Sequence, residues 1–120
     1  MKKLFALRGA VQCENTKEDI CTQVGLMYNE LLSKNKLKED DLVSVIFSVT
    51  NDLDAVNPAT ALRSTGRAGG DMSLFSAQEP MCANSVERII RVIIHCYLDE
   101  GSKPNHVYLN GAQVLRPDRK

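Results

Sequence analysis

Ile89-Ile90-Arg91-Val92-Ile93-Ile94, inside the apolar run 86–98, is the segment on which the fold turns. Apolar content alone allows either helix or strand there. Five of the six residues are β-branched, and two heavy atoms on Cβ suit a pleated sheet better than a helix, so the segment reads as strand. A second run of the same character, 42–50 (LVSVIFSVT), is bounded by polar clusters and reads as a buried strand. Upstream, 4–12 is extended, with an interruption expected at Arg8-Gly9. Between these two strands Thr16, with Asp19 three residues on, marks a helix N-cap with an acidic first turn. Ile20, Val24, Met27, Tyr28, Leu31 and Leu32 then recur at helical spacing until about Asn35. Asn57-Pro58 is a capping residue followed by proline at the first helical position, and Gly66 is a natural stop. A Gly69-Gly70 turn precedes a short strand at 72–76, and a last strand at 106–109 runs into an Asn110-Gly111 turn. This order predicts an α+β fold, a mixed β-sheet with helices on one face. The sheet is small for its apolar content, so its strands are expected to be covered on both faces, the second cover coming from a homo-oligomer.

Residues 1–120 suffice for one domain. Hydrophobic residues at 43% and charged residues at 25% are globular rather than disordered composition. Fifteen basic and fifteen acidic residues leave no basic excess, which argues against a nucleic-acid partner. No apolar run approaches the roughly 18 residues of a membrane span. The start, Met1-Lys2-Lys3-Leu4-Phe5-Ala6-Leu7, opens like a signal peptide, but Arg8 ends its apolar run, so a cytoplasmic protein is expected. Cys13, Cys21, Cys82 and Cys96 show no C-x-x-C spacing and no neighbouring His that would make a zinc motif. They are expected as reduced thiols, some packed as small hydrophobes. The tail after Arg116-Pro117 is polar.

Arg91 is the most informative single residue. A guanidinium in an apolar strand keeps its charge and needs a partner, either a ligand anion or an internal ion pair, unless the strand edge is wet. Arg8 precedes Gly9, where a backbone or ligand can approach closely; an arginine pointing to water is the plain alternative. Glu79 falls in the loop after the third strand and Arg63 on the short helix, and both suit a solvated surface equally well. Tyr108 alternates with Val107 and Leu109 and reads as core or as a site hydroxyl. His95 and His106 have no Ser or Cys partner at a recognisable spacing and read as structural. Taken together, arginines and a glutamate near strand ends suit a small substrate with two carboxylates, held by guanidinium forks. No glycine-rich phosphate loop, metal cluster or nucleophile–base pair is visible. The expected site therefore works without cofactor or metal, by positioning and fixed charge.

The segments Leu7-Arg8-Gly9-Ala10, Ser48-Val49-Thr50-Asn51-Asp52-Leu53, Pro58-Ala59 with Ala61 and Arg63, Gln78-Glu79, Ile90-Arg91-Val92, His106-Val107-Tyr108-Leu109 and Val114-Leu115-Arg116-Pro117-Asp118 follow one another in a distinctive order. In that order and spacing the chain resembles the trimeric, barrel-type monofunctional chorismate mutases over almost its whole length. The resemblance implies conversion of chorismate to prephenate. It also implies a homotrimer in which three subunits form a pseudo α/β-barrel, with sites between subunits. By the same resemblance Arg91 meets the breaking ether oxygen and a carboxylate, and Arg8 and Tyr108 hold the side-chain carboxylate. Glu79 accepts the ring hydroxyl with Ser76 beside it. Arg63, Asn57 and Thr60 would come from the neighbouring subunit, and Leu115-Arg116 from a tail over the entrance. Asn57, Thr60 and Phe75 depart from residues common in the family, which bears on the shape of the pocket mouth rather than on the reaction. Two other functions fit less of the pattern. One is a trimeric enamine/imine deaminase, which also grips a carboxylate with arginine but needs a water-activating group. The other is a non-catalytic carboxylate-binding module.

Overall fold

In the computed structural model, which describes residues 1–115, the β-branched segment forms β4 (Ile89–Asp99), the central strand of a five-stranded mixed sheet. The other strands are β1 (Lys2–Gln12), β2 (Leu42–Val49), β3 (Leu74–Gln78) and β5 (Val107–Leu109), in the spatial order β3-β2-β4-β1-β5. β4 is antiparallel to both β1 and β2, while the outer pairs β2–β3 and β1–β5 are parallel. The two helices fall where the capping residues put them. Thr16 accepts the Asp19 N–H at 3.0 Å and opens α1 (Lys17–Lys34). Asn57 accepts the Ala59 N–H at 2.8 Å, with Pro58 in the first turn of α2 (Pro58–Ser64). Gly66, just beyond, has φ +86°, a left-handed turn that glycine adopts without strain.

Both helices lie on one face of the sheet. Residues alternate across a strand, so Ile90, Val92, Ile94, Cys96 and Leu98 of β4 are buried with Val45 and Phe47 of β2 and Leu7 and Val11 of β1. The helical stripe of Ile20, Val24, Met27, Tyr28, Leu31 and Leu32 closes over them. Each such side chain contributes roughly 1.5–3 kcal/mol when fully buried, so this one face carries most of the folding energy.

Three expectations are corrected. The first strand is not interrupted at Arg8-Gly9 but runs unbroken from Lys2 to Gln12. Gly9 serves close packing instead: a Cβ there would sit 3.0 Å from Leu31 Cδ1, 3.1 Å from Val92 Cγ1 and 3.3 Å from the Val107 carbonyl oxygen. The third strand lies two residues later than expected, because its pairing with β2 begins at Val45↔Leu74 and ends at Val49↔Gln78. The third concerns Arg91, expected in a buried strand: within the chain the sheet is covered on one face, and the other is left for the second cover expected from an oligomer. On the other, Leu4, Ile46, Phe75 and Tyr97 are 51%, 36%, 62% and 47% exposed. Arg91 points to this uncovered face, so a central strand does not here make a buried arginine.

All four cysteines are free, with Cys13 and Cys96 buried and Cys82 exposed. Among the described residues no helix is long and apolar enough to cross a membrane.

Candidate active site

Directly paired residues on neighbouring strands point to the same face. The register therefore sets Ala77, Ser48, Arg91, Ala10 and Tyr108 in one row across all five strands on the uncovered face. Arg8 lies on the same face, opposite Ile93. Over this row opens a cavity of about 300 Å³ lined by Arg8, Ser48, Arg91 and Tyr108, with Ile46, Ile93 and small residues as its floor. Residues from opposite ends of the chain thus meet because β4 and β1 are central and the parallel strand β5 docks on β1.

Glu79 stands one position beyond β3. Its N–H donates to the Val49 carbonyl at 2.8 Å, which fixes its backbone. Its Oε1 accepts the Ser48 hydroxyl at 2.7 Å and forms a 3.3 Å ion pair with Arg91 Nε. The internal ion pair that sequence offered as one reading of Arg91 therefore exists. With the two side chains 45% and 29% exposed, it contributes at most about 1 kcal/mol to folding. The Arg8 N–H donates to His106 Nδ1 at 3.0 Å, tying β1 to the start of β5. Its guanidinium has no partner among the described residues. Tyr108 and Leu115 pack on the small cluster of Ala10, Ile89 and Ala112, so both stand at the β5 end of the cavity. Arg116 lies outside the described residues.

The remaining candidates form a separate group. Asn57 accepts a hydrogen bond from the Ser76 hydroxyl at 2.9 Å, and both border a second cavity of about 270 Å³. Arg63 donates through Nη2 to the Met72 carbonyl at 3.2 Å, and Thr60 is exposed on α2. Phe75 is on the uncovered face, paired with Ile46. Ser76 is not beside Glu79 in this chain. Its register partner is the buried Phe47, so alternation turns it to the helix side, away from Glu79 and Arg91. None of these residues lines the cavity of Arg8 and Arg91.

Two features escaped the sequence. Ser48 had no role attached, although a polar residue alternating with Val45 and Phe47 in a β-branched strand marks the face opposite the core. His95 does meet a serine: Ser44 Oγ lies 2.9 Å from its Nδ1, across β2 and β4. No carboxylate among the described residues orients that ring, so the contact joins strands and lacks the third member of a hydrolytic triad. Among the described residues no three His, Cys, Asp or Glu side chains are grouped to hold a metal ion.

Two guanidinium groups and a phenol around one small cavity, with the Glu79 carboxylate paired to one of those guanidiniums at 3.3 Å, match an anionic substrate that also carries a hydroxyl. Comparison with known proteins agrees. A family model described as chorismate mutase type I matches residues 4–119. The chorismate mutase AroH of Bacillus subtilis (strain 168) is 32% identical over 114 residues, spanning 93% of this chain and 89% of that protein. AroH of Thermus thermophilus is 36% identical over 115 residues, spanning 93% of each. A solved chorismate mutase from Clostridium thermocellum superposes with a TM-score of 0.85 at 41% identity, covering 92% of this chain and 98% of that one. Sheet, cavity and relatives converge, and the chain belongs to the type I chorismate mutase family.

Proposed function

We propose that the chain rearranges chorismate to prephenate in the cavity of Arg8, Arg91 and Tyr108, at sites completed between the subunits of a homotrimer. The observation that carries the assignment is the row across the uncovered face, with Glu79 attached to Arg91 at its edge. The rearrangement is intramolecular and pericyclic: an ether C–O bond breaks as a C–C bond forms within one molecule. It needs no cofactor, general base or covalent intermediate. The protein accelerates it by holding the compact diaxial conformer and by stabilising negative charge that grows on the ether oxygen. Arg91 meets that oxygen and a carboxylate through its terminal nitrogens. Arg8 and Tyr108 hold the side-chain carboxylate, and Glu79 accepts the ring hydroxyl.

The trimer follows from what the single chain leaves undone. An apolar face with Phe75 and Leu4 more than half exposed calls for a cover. The group of Asn57, Thr60, Arg63 and Ser76 is held away from the Arg91 cavity of its own chain, and Phe75 stands on the open face beside Ile46, which suits delivery to a neighbour's cavity. Three sheets joined through the uncovered face would make the pseudo α/β-barrel, with Leu115 and Arg116 near the entrance. Covering Arg91 with a second subunit also excludes water, which strengthens a fixed cation. Residues 1–120 act in this reading as one catalytic domain working in the cytoplasm, where four free thiols stay reduced.

Loss of chorismate absorbance with purified protein, followed by identification of the product, tests the reading. Prephenate is expected, at an unchanged rate after exhaustive chelation. Absence of prephenate, or activity abolished by the chelator, overturns it.

A further inference from the structure

We infer that Ser48 is a positioning residue for the rearrangement, pinning one oxygen of Glu79 so that the other oxygen and both terminal nitrogens of Arg91 stay turned to the substrate. The inference rests on the reading of Glu79 and Arg91 as substrate contacts.

An ionised carboxylate only accepts hydrogen bonds, and a serine hydroxyl has one proton to give. Ser48 gives it to Glu79 Oε1 at 2.7 Å, the same oxygen that faces Arg91 Nε at 3.3 Å. Among the described residues no donor reaches Glu79 Oε2, and neither terminal nitrogen of Arg91 has a partner. Left alone, an arginine and a carboxylate this close favour a two-bond fork, which occupies both oxygens and a terminal nitrogen. That fork would use up the groups the reaction needs.

Ser48 is placed to prevent it. Its backbone is locked inside the sheet, paired with Arg91 on one side and Ala77 on the other. Its hydroxyl is therefore carried on a fixed backbone by one short side chain, and Oε1 is held against β2. The Glu79 backbone is fixed in turn by the bond to the Val49 carbonyl. With both ends anchored, the carboxylate approaches Arg91 through Oε1 against Nε.

The test is a double-mutant cycle read as kcat and KM for chorismate, with thermal melts to confirm folding. Ser48→Ala is expected to lower kcat/KM by roughly ten- to a hundredfold, the usual effect of losing a hydrogen bond to a charged group. Part of the loss appears in kcat, because a forked Arg91 no longer meets the ether oxygen. Ser48→Thr keeps the hydroxyl and should stay within about threefold of wild type. In a Glu79→Ala background Ser48→Ala should add less than about threefold, since the group it orients is gone. Should the alanine variant not fold, Ser48→Cys, nearly isosteric with only a weak donor, gives the same comparison. A Ser48→Ala protein near wild type, a loss of equal size persisting without Glu79, or failure of the threonine variant to restore activity overturns the inference. If Glu79→Ala cripples the enzyme while Ser48→Ala does not, only the role of Ser48 falls. If Glu79→Ala is itself near wild type, the reading of Glu79 as the hydroxyl acceptor falls, and Ser48 with it.

Discussion

Arg91→Ala should separate chemistry from folding by several kcal/mol. The Arg91 side chain is 45% exposed and its ion pair with Glu79 measures 3.3 Å, so its removal costs folding at most about 1 kcal/mol. Its strand neighbours Ile90 and Val92 point the opposite way into the core, so the main apolar core is left intact. The chemical loss is larger. Removing one neutral donor from an oxyanion costs about a hundred- to a thousandfold in kcat, and a full cation, covered by a second subunit in the proposed trimer, should reach at least the upper end. A thousandfold corresponds to about 4 kcal/mol. Charge grows on the ether oxygen mainly in the transition state, so the loss belongs in kcat more than in KM. Arg91→Lys keeps the charge but offers one point where the guanidinium offers Nε to Glu79 and two further nitrogens to the substrate, so it should rescue little. The assay is chorismate consumption at saturating substrate, beside circular dichroism and a melting curve on the same preparation. A folded Arg91→Ala protein with kcat within about tenfold of wild type would remove Arg91 from the mechanism.

Light scattering should give three chains per particle, and a stable, active monomer would contradict the shared site. Mixing Arg63→Ala with Arg91→Ala subunits should restore partial activity, since some sites in mixed trimers draw both residues intact from different chains; no recovery would place both in one chain. Burial pushes the Cys13 thiol up to about 12, with Asp19 adding to it, and pushes Cys96 up to about 11. A thiol reagent at neutral pH should therefore modify Cys82 first and leave Cys13 and Cys96 until unfolding, when all four titrate without reductant. Tyr28→Phe removes the hydroxyl that donates to Glu39 Oε2 at 2.5 Å, a loss of about 1–3 kcal/mol in urea unfolding at pH 7. Burial alone would raise the Glu39 carboxyl, but hydrogen bonds from Tyr28 and the Ala68 N–H, with the Arg67 charge, outweigh it and hold it below the usual range. Its stabilisation is thus present at neutral pH and lost as pH falls through that lowered value, so the gap between wild type and Tyr28→Phe should narrow on acidification below the ordinary glutamate range. A gap unchanged with pH would show that the hydroxyl acts without the charge.

The helices were legible because their signals are local. Thr16 and Asn57 cap them within three residues, and the apolar stripe of α1 repeats within its own length. The strand character of 89–94 was legible for the same reason, being carried by branching at each Cβ. What pairing decides was not legible. Nothing near Ser76 in sequence says that its partner is Phe47 rather than a residue of the open face, and nothing near Ser48 says that it sits beside Arg91. Gly9 looked like a break because the features that require it, Leu31 and Val107, lie far along the chain. Arg8, Arg91 and Tyr108 are legible as residue types in the right order, and the structure supplies their meeting at one cavity, with Glu79 paired to Arg91 beside it. How Asn57, Thr60, Arg63 and Ser76 would serve that cavity depends, in the proposed trimer, on surfaces between subunits.

The position of β1 has a consequence for how the chain is made. β1 is synthesised before the rest of the sheet, yet its partners are β4 and β5, the last two strands among the described residues. At ordinary rates of synthesis β1 waits on the order of ten seconds before residues 89–99 emerge to pair with it. Until then Leu7 and Val11 have only α1 to cover them, and the strand edge is open to chaperones or to other nascent chains. Pairings of such long sequence separation also slow folding relative to helical proteins of similar size. Arg8, Arg91 and Tyr108 share one row only once β4 and β5 have docked. Recovery of catalysis during refolding therefore cannot precede that long-range step, and a chain cut before β5 would lack the site however well its helices had formed.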